Sequence, residues 1–337
     1  MTNQAPTLLP LLARQQRRWM VAVLLVVGSA FAGGELGARL GLGLGDPPLS
    51  DAYPDLEYAF RPGAYRRFGN LVHINSHHMR SPEFPEHKTR ANEVRVMLMG
   101  DSVINGGALT DQADLASELL QARLSADLMR PVVVGNISAG SWGPGNLLAY
   151  ARRFGLFEAD VLVIVVNSED PRDNPTGQRV VGVDPSFPDR RPWSALAEAV
   201  RRYVAPRVTH LFSPAAQPAL VPQDVREFTR GMKDLSDVCD LAIASGASLL
   251  LVHFPNRSEI AGEALPGHDA IARLASQKGI RLIELRTPLE NSLAGGIDPY
   301  RPNDGIHPNE TGQRIIAEAL RPALIEVLGS PRLPDTP

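Results

Sequence analysis

Apolar residues recur along this chain in two rhythms. Short, mainly apolar runs at 94–99, 132–134, 161–166, 248–253 and 281–285 have the aliphatic and β-branched content of buried strands. The run at 161–166 is unbroken, as expected of a strand covered on both faces. Between these runs, apolar positions fall three and four apart, which predicts helices at 111–129, 146–154, 225–245, 268–278 and 310–328. Leu115, Leu119, Leu120 and Leu124 share one face of the first, and Pro131 closes it. Strand and helix alternate, so the predicted fold class is α/β: a three-layer sandwich with a mainly parallel sheet. At 176–223 the alternation lapses into a Pro-rich stretch with one predicted helix, 193–203. This reads as an insertion after the third strand, placed to serve as a lid or substrate wall. No internal repeat is present, and the Pro-rich residues 331–337 form a tail.

Residues 19–34 carry no charge and follow Arg14, Arg17 and Arg18. As a helix they span about 24 Å, less than the ~30 Å hydrocarbon core of a bilayer. Two readings follow. Ala30-Phe31-Ala32 has the small-x-small form of a signal-peptide cleavage site. Alternatively, the helix continues through Glu35, Leu36, Arg39 and Leu40 as a retained transmembrane anchor over 19–44, with Glu35 and Arg39 paired across one turn. The leader, 1–18, is long for a signal peptide, which favours the anchor. The basic flank then stays cytoplasmic and all that follows lies outside. From 45 to 92 Pro, Gly and aromatic residues show no sustained period, which predicts an extended segment laid over the surface of a domain at 93–330. His73, His77 and His78 crowd there near Asn75 and Arg80. Without supporting carboxylate or cysteine spacing they read as surface or cleft-rim residues, not metal ligands.

Composition narrows the field only slightly. With 337 residues, a net charge of −3 and 21% charged residues, nothing points to a nucleic-acid surface. The lone Cys239 rules out an internal disulfide framework, and its helical, apolar surroundings make it a core thiol. No metal and no cofactor is implied.

The chemistry gathers where the predicted strands end. The first runs into Gly100-Asp101-Ser102 and turns through Asn105-Gly106-Gly107. His307 lies in a loop before the final helix, with Asp304 three residues earlier. An acyl-transfer site needs a hydroxyl nucleophile, an imidazole base, a group that orients the base, and donors for the developing oxyanion. Ser102, His307 and Asp304 fit the first three roles, and the backbone N–H groups of Ser102 and Gly140 fit the last. Asp101 reads as a residue that fixes the turn. His253, at the end of the fourth strand, reads as a satisfied loop histidine.

Taken in order, these clusters resemble the GDSL/SGNH hydrolase superfamily. Gly100-Asp101-Ser102 matches its nucleophile block, Gly140 its second block, and Asp304-Gly305-Ile306-His307 its last, over roughly 94–328. The stretch Asn75-Ser76 to Met79-Arg80-Ser81 and the Glu35/Arg39 anchor look like membrane-anchored bacterial members. The resemblance implies a flavodoxin-like α/β/α domain on the periplasmic side of the inner membrane. It also implies a serine esterase of short O-acyl groups, acetyl among them, on an envelope or exported polysaccharide, with an O-acyltransferase as a variant. One block departs. Where the family has an oxyanion-hole asparagine, this chain has Glu169, and a carboxylate there repels an oxyanion. Asn167, two residues earlier on an extended backbone, would face the same side and substitute as donor. Glu169 and Trp142 are then expected to face the substrate. The competing expectation is a weakly active or non-catalytic anchored domain that binds glycan or a partner protein.

Overall fold

The computed structural model describes residues 9–205, 207–208 and 222–329. The start of the leader, part of the Pro-rich insertion and the 331–337 tail lie outside the described residues.

Segment 45–92 is more ordered than its composition suggests. It holds two antiparallel hairpins, β1 (Ser50–Tyr53) with β2 (Glu57–Phe60), and β3 (Gly63–Arg67) with β4 (Asn70–Ile74). The second turns at Phe68-Gly69, with φ of 52° and 87°. Two successive positive φ values match the twist of a tight hairpin, yet Phe-Gly is not the usual sequence signal for one.

Five strands form the main sheet: β5 (Val94–Gly100), β6 (Val132–Ser138), β7 (Val161–Val166), β8 (Ser248–His253) and β9 (Arg281–Glu284). All pair in parallel, in the order β6-β5-β7-β8-β9. This is the flavodoxin-like order, in which the chain leaves β5 first to one side and then to the other, opening a crevice between β5 and β7 beyond their carboxyl ends. Alternate residues feed two cores. Met97, Met99, Ile137, Leu162, Ile164 and Leu251 pack beneath the helices Pro144–Phe154, Pro222–Ala244 and Pro266–Lys278. Val96, Leu98, Val134, Val163, Val165 and Val252 face Ala116–Leu128, Arg286–Ala294 and Glu310–Gly329.

The differences from the predicted elements have local causes. The first helix starts at Ala116, not 111, because the Asp111 carboxylate accepts from Ala113 N and holds a separate 3₁₀ turn at Gln112–Asp114. β6 runs on through Asn136 to Ser138, where Asn136 donates to Ile104 O at 2.8 Å and so satisfies a buried amide inside the sheet. Arg286–Ala294 escapes the pattern because Pro288 and its polar neighbours read as turn chemistry.

The long helix Leu9–Leu42 is exposed along residues 14–34 and is long and apolar enough to cross a membrane. Its last turns dock on the insertion. Glu35 pairs with Arg39 at 2.7 Å and accepts from Ala195 N (2.8 Å), Leu196 N (3.1 Å) and Ser194 Oγ (2.8 Å), capping the helix Ala195–Ala199. The predicted 193–203 helix thus begins later, and it continues as one π-helical turn, Val200–Val204.

Candidate functional site

The register of the sheet sets the site. Gly100 aligns with Ser138, and Met99 with Ile164, so the residues just past β5, β6 and β7 emerge side by side at the crevice. β5 ends at Gly100, where a side chain is excluded because a Cβ would lie 2.8 Å from Val165 O. Asp101 then caps the four-residue helix Ser102–Asn105, its Oδ1 accepting from Val103 N at 2.8 Å. Ser102 therefore sits at the first helical position, where a backbone N–H has no acceptor within the helix.

The loop before the last helix brings the base across. His307 Nε2 lies 2.9 Å from Ser102 Oγ, and His307 Nδ1 lies 2.7 Å from Asp304 Oδ2. The other Asp304 oxygen accepts from Ile306 N at 2.9 Å and His307 N at 3.0 Å. Burial pushes the Asp304 carboxyl upward, but these two N–H groups and the imidazole outweigh it and hold the group below the usual carboxylate range. An ionised Asp304 fixes the imidazole with Nε2 bare toward the serine hydroxyl, the geometry in which a base accepts a proton from a nucleophile.

Asn167 and Glu169 do not share a side. β7 ends at Val166, and the Asn167 carbonyl oxygen of the side chain accepts from Glu169 N (2.8 Å) and Asp170 N (3.2 Å), folding the backbone into a turn. The alternation that would have aligned the two residues holds only for extended chain. Asn167 is buried beside the nucleophile turn, whereas the Glu169 side chain is 48% exposed and lies 3.2 Å from Arg172. Nor is the Asn167 amide an idle donor. It reaches Asp101 Oδ2 at 3.4 Å and bonds Asp170 Oδ1 at close range.

Behind Ser102 stands a chain of buried carboxylates. Burial raises both Asp101 and Asp170, the latter strongly, with Asp101 adding to the effect on Asp170. Asp101 Oδ2 also lies 3.3 Å from Ser102 Oγ. This cluster was not legible in the sequence, since Asp170 looks like an ordinary turn residue before Pro171.

Gly140 lies beside this turn, and its carbonyl accepts from Tyr58 OH at 2.5 Å. Trp142, expected against substrate, is instead only 1% exposed and donates Nε1–H to Tyr58 O at 3.2 Å. It is a core residue, because the β1–β2 hairpin covers it. A cavity of about 220 Å³ is lined by Tyr58, Phe60, Ile74, Asn105, Gly140 and Phe187, among others.

The upstream segment braces the nucleophile turn. Buried Arg80 donates to Asn105 O (2.7 Å), Thr110 O (2.7 Å) and Gly107 O, and its backbone N–H bonds Asn136 O on the edge strand at 3.1 Å. Desolvation lowers this guanidinium to about 9, with Arg301 nearby adding to the effect. His73, His77 and His78 each contact a different backbone carbonyl, of Ser81, Phe84 and Phe60. Cys239 is buried in the core, and burial pushes its thiol up to about 12.

No sequence-family model and no characterised relative matches the chain by sequence. Solved structures do align with it. A two-domain esterase (CEX) active on acetylated mannans is 15% identical over 73% of this chain, with a TM-score of 0.45. This chain spans about half of that protein, 53%. An acetyl xylan esterase, AlAXEase, is 17% identical over 69% of this chain and 100% of its own, with a TM-score of 0.41. A member of the lipolytic protein G-D-S-L family from Veillonella parvula DSM 2008 is 16% identical over 71% of this chain and 100% of its own, also at 0.41. The solved structures that align with this chain thus include esterases and a member of the lipolytic G-D-S-L family.

Proposed function

We propose that this chain is a serine esterase of the SGNH type. The observation that carries the reading is the unbroken hydrogen-bonded series Asp304–His307–Ser102 at the sheet's switch point. Ser102 Oγ attacks an ester carbonyl while its proton passes to His307 Nε2, and Asp304 balances the imidazolium. The tetrahedral oxyanion is received by the backbone N–H groups of Ser102 and Gly140. Asn167, already given to Asp101 and Asp170, serves as a positioning residue for Asp101. Collapse of the intermediate transfers the proton to the leaving alcohol, and water, or a sugar hydroxyl in a transferase, then takes the acyl group. The substrate class is a short O-acyl ester, with acetyl on an envelope or exported polysaccharide as the specific form. That finer assignment rests on the motif blocks alone.

A weakly active site is the second reading, favoured by the engaged Asn167 amide. Loss of one oxyanion donor typically costs about 10²–10³ in rate. Fluorophosphonate labelling and p-nitrophenyl acetate hydrolysis by the full chain test both. The expected outcome is labelling that disappears in Ser102→Ala and falls in His307→Ala, with the rate down at least about 10³-fold in each. A wild-type chain that neither labels nor turns over excludes the esterase.

A further inference from the structure

A second cluster of ligating side chains stands at the same edge of the sheet, on the far side of β7 from Ser102. His253 ends β8 and Glu284 ends β9, and these two residues are direct partners in the sheet register. His268 comes over them from the first turn of the helix Pro266–Lys278. Gly267 makes that approach feasible, since a Cβ there would lie 1.8 Å from Ser168 O. One ligand atom from each of the three side chains lies within 4.8 Å of the others. His268 Nε2 is 3.0 Å from Glu284 Oε1, and His253 Nδ1 is 3.2 Å from Glu284 Oε2.

We propose that His253, His268 and Glu284 form a site for a divalent transition metal ion, with Zn²⁺ as the best match. The tautomer of His253 is the decisive feature. Ser168 Oγ donates its single proton to Glu259 Oε1 at 2.6 Å, and so can only accept from His253 Nε2, 2.9 Å away. Glu259 is held in turn by Asn256 N at 3.0 Å. In the neutral imidazole with its proton on Nε2, Nδ1 presents a bare lone pair. His253 is 1% exposed, and its buried Nδ1 lies 3.2 Å from Glu284 Oε2 without a well-formed hydrogen bond. A buried acceptor left without a donor is costly unless a cation meets it. A histidine whose second nitrogen donates to a serine–carboxylate pair has the outer-sphere support typical of metal-bound imidazole.

Two imidazoles and a carboxylate suit Zn²⁺, whose ligands at ~2.0–2.1 Å stand about 3.3 Å apart in a tetrahedron. The observed separations need a contraction of no more than roughly 1–1.5 Å. His268 and Glu284 are 35% and 41% exposed at their side chains, so a fourth position faces solvent. The ion would tie the helix Pro266–Lys278 to the ends of β8 and β9. This site is independent of the proposed esterase chemistry.

The test uses the untagged full-length chain in detergent, stripped by chelator and titrated with Co²⁺ and then Zn²⁺. The expected result is one Co²⁺ per chain with the visible absorption of a four-coordinate nitrogen–oxygen site, displaced by one Zn²⁺. His268→Ala and Glu284→Gln, both at partly exposed positions, should each weaken binding by more than about a hundredfold. Ser168→Ala should weaken it by about 10–100-fold, as removal of outer-sphere partners does. Ser102 labelling should be unchanged in the His268 and Glu284 variants. A wild-type chain that binds neither ion overturns the site. So does binding that survives undiminished in the His268 and Glu284 variants.

Discussion

Asp170 shows how one side chain near the nucleophile turn couples folding to pH. It is buried and accepts from Asn167 N at 2.9 Å, yet burial and the neighbouring Asp101 raise its carboxyl well above the ordinary range. Between the ordinary carboxyl pKa of ~3.9 and the raised value, the folded chain binds more protons than the unfolded one. Stability contributed at this position is therefore full in acid and declines as pH rises through that window. Asp170→Asn removes the titration and keeps an acceptor for Asn167. Its stability relative to wild type should rise with pH from about 4 upward, measured as the difference between the two denaturant-unfolding curves across pH. A pH-independent difference would show that Asp170 titrates alike in the folded and unfolded chain. At this scale the sequence was legible where chemistry is local. The Asp304-x-x-His307 spacing puts both groups in one loop, so their contact follows from three residues of chain. Asn167 and Glu169 were misread because the end of β7, set by tertiary packing, decides whether alternation still applies.

Among elements, the hairpins of 45–92 were the least legible, and they bury Tyr58, Ala59, Tyr65, Val72 and Ile74. Arg67, at the end of β3, is buried with its guanidinium 2.5 Å from Glu198 of the insertion helix. It also bonds Gly43 O at 2.8 Å and Tyr203 OH at 3.1 Å. Three separate stretches of chain meet at this one group. Removing one partner of a buried pair leaves an uncompensated charge and costs about 3–5 kcal/mol. Arg67→Met should lose stability in that range, while Arg67→Met combined with Glu198→Leu should recover much of it, both read by denaturant unfolding. An additive double variant would mean the two groups are not coupled. No periodicity could reveal this pair, because its members are 131 positions apart.

For the whole molecule, the feature that decides its placement is the exposed apolar helix Leu9–Leu42. Trp19, Leu24, Leu25 and Val26 are exposed, whereas Ala38 near its end is buried against Leu44 and Ala195. We propose that the exposed part spans a membrane and that the docked end holds the α/β domain close to its surface. Full-length protein should stay with the membrane fraction after alkaline carbonate extraction, with an intact amino terminus. Release of a soluble form beginning just after Ala32 would identify a cleaved signal peptide instead.

The sequence by itself determined the alternation of strand and helix, the turn that presents Ser102, and the Asp304–His307 pair. Each of these is written in residues a few positions apart, where backbone period and loop chemistry act directly. Tertiary structure alone decided the rest. It chose which strand ends lie side by side, buried Trp142 under a hairpin, and aimed the Asn167 amide at Asp101 while the Glu169 side chain reaches outward to Arg172. It also gathered His253, His268 and Glu284 from two strands and a helix. Such contacts depend on sheet order and on the close approach of distant backbones, and neither leaves a period along the chain.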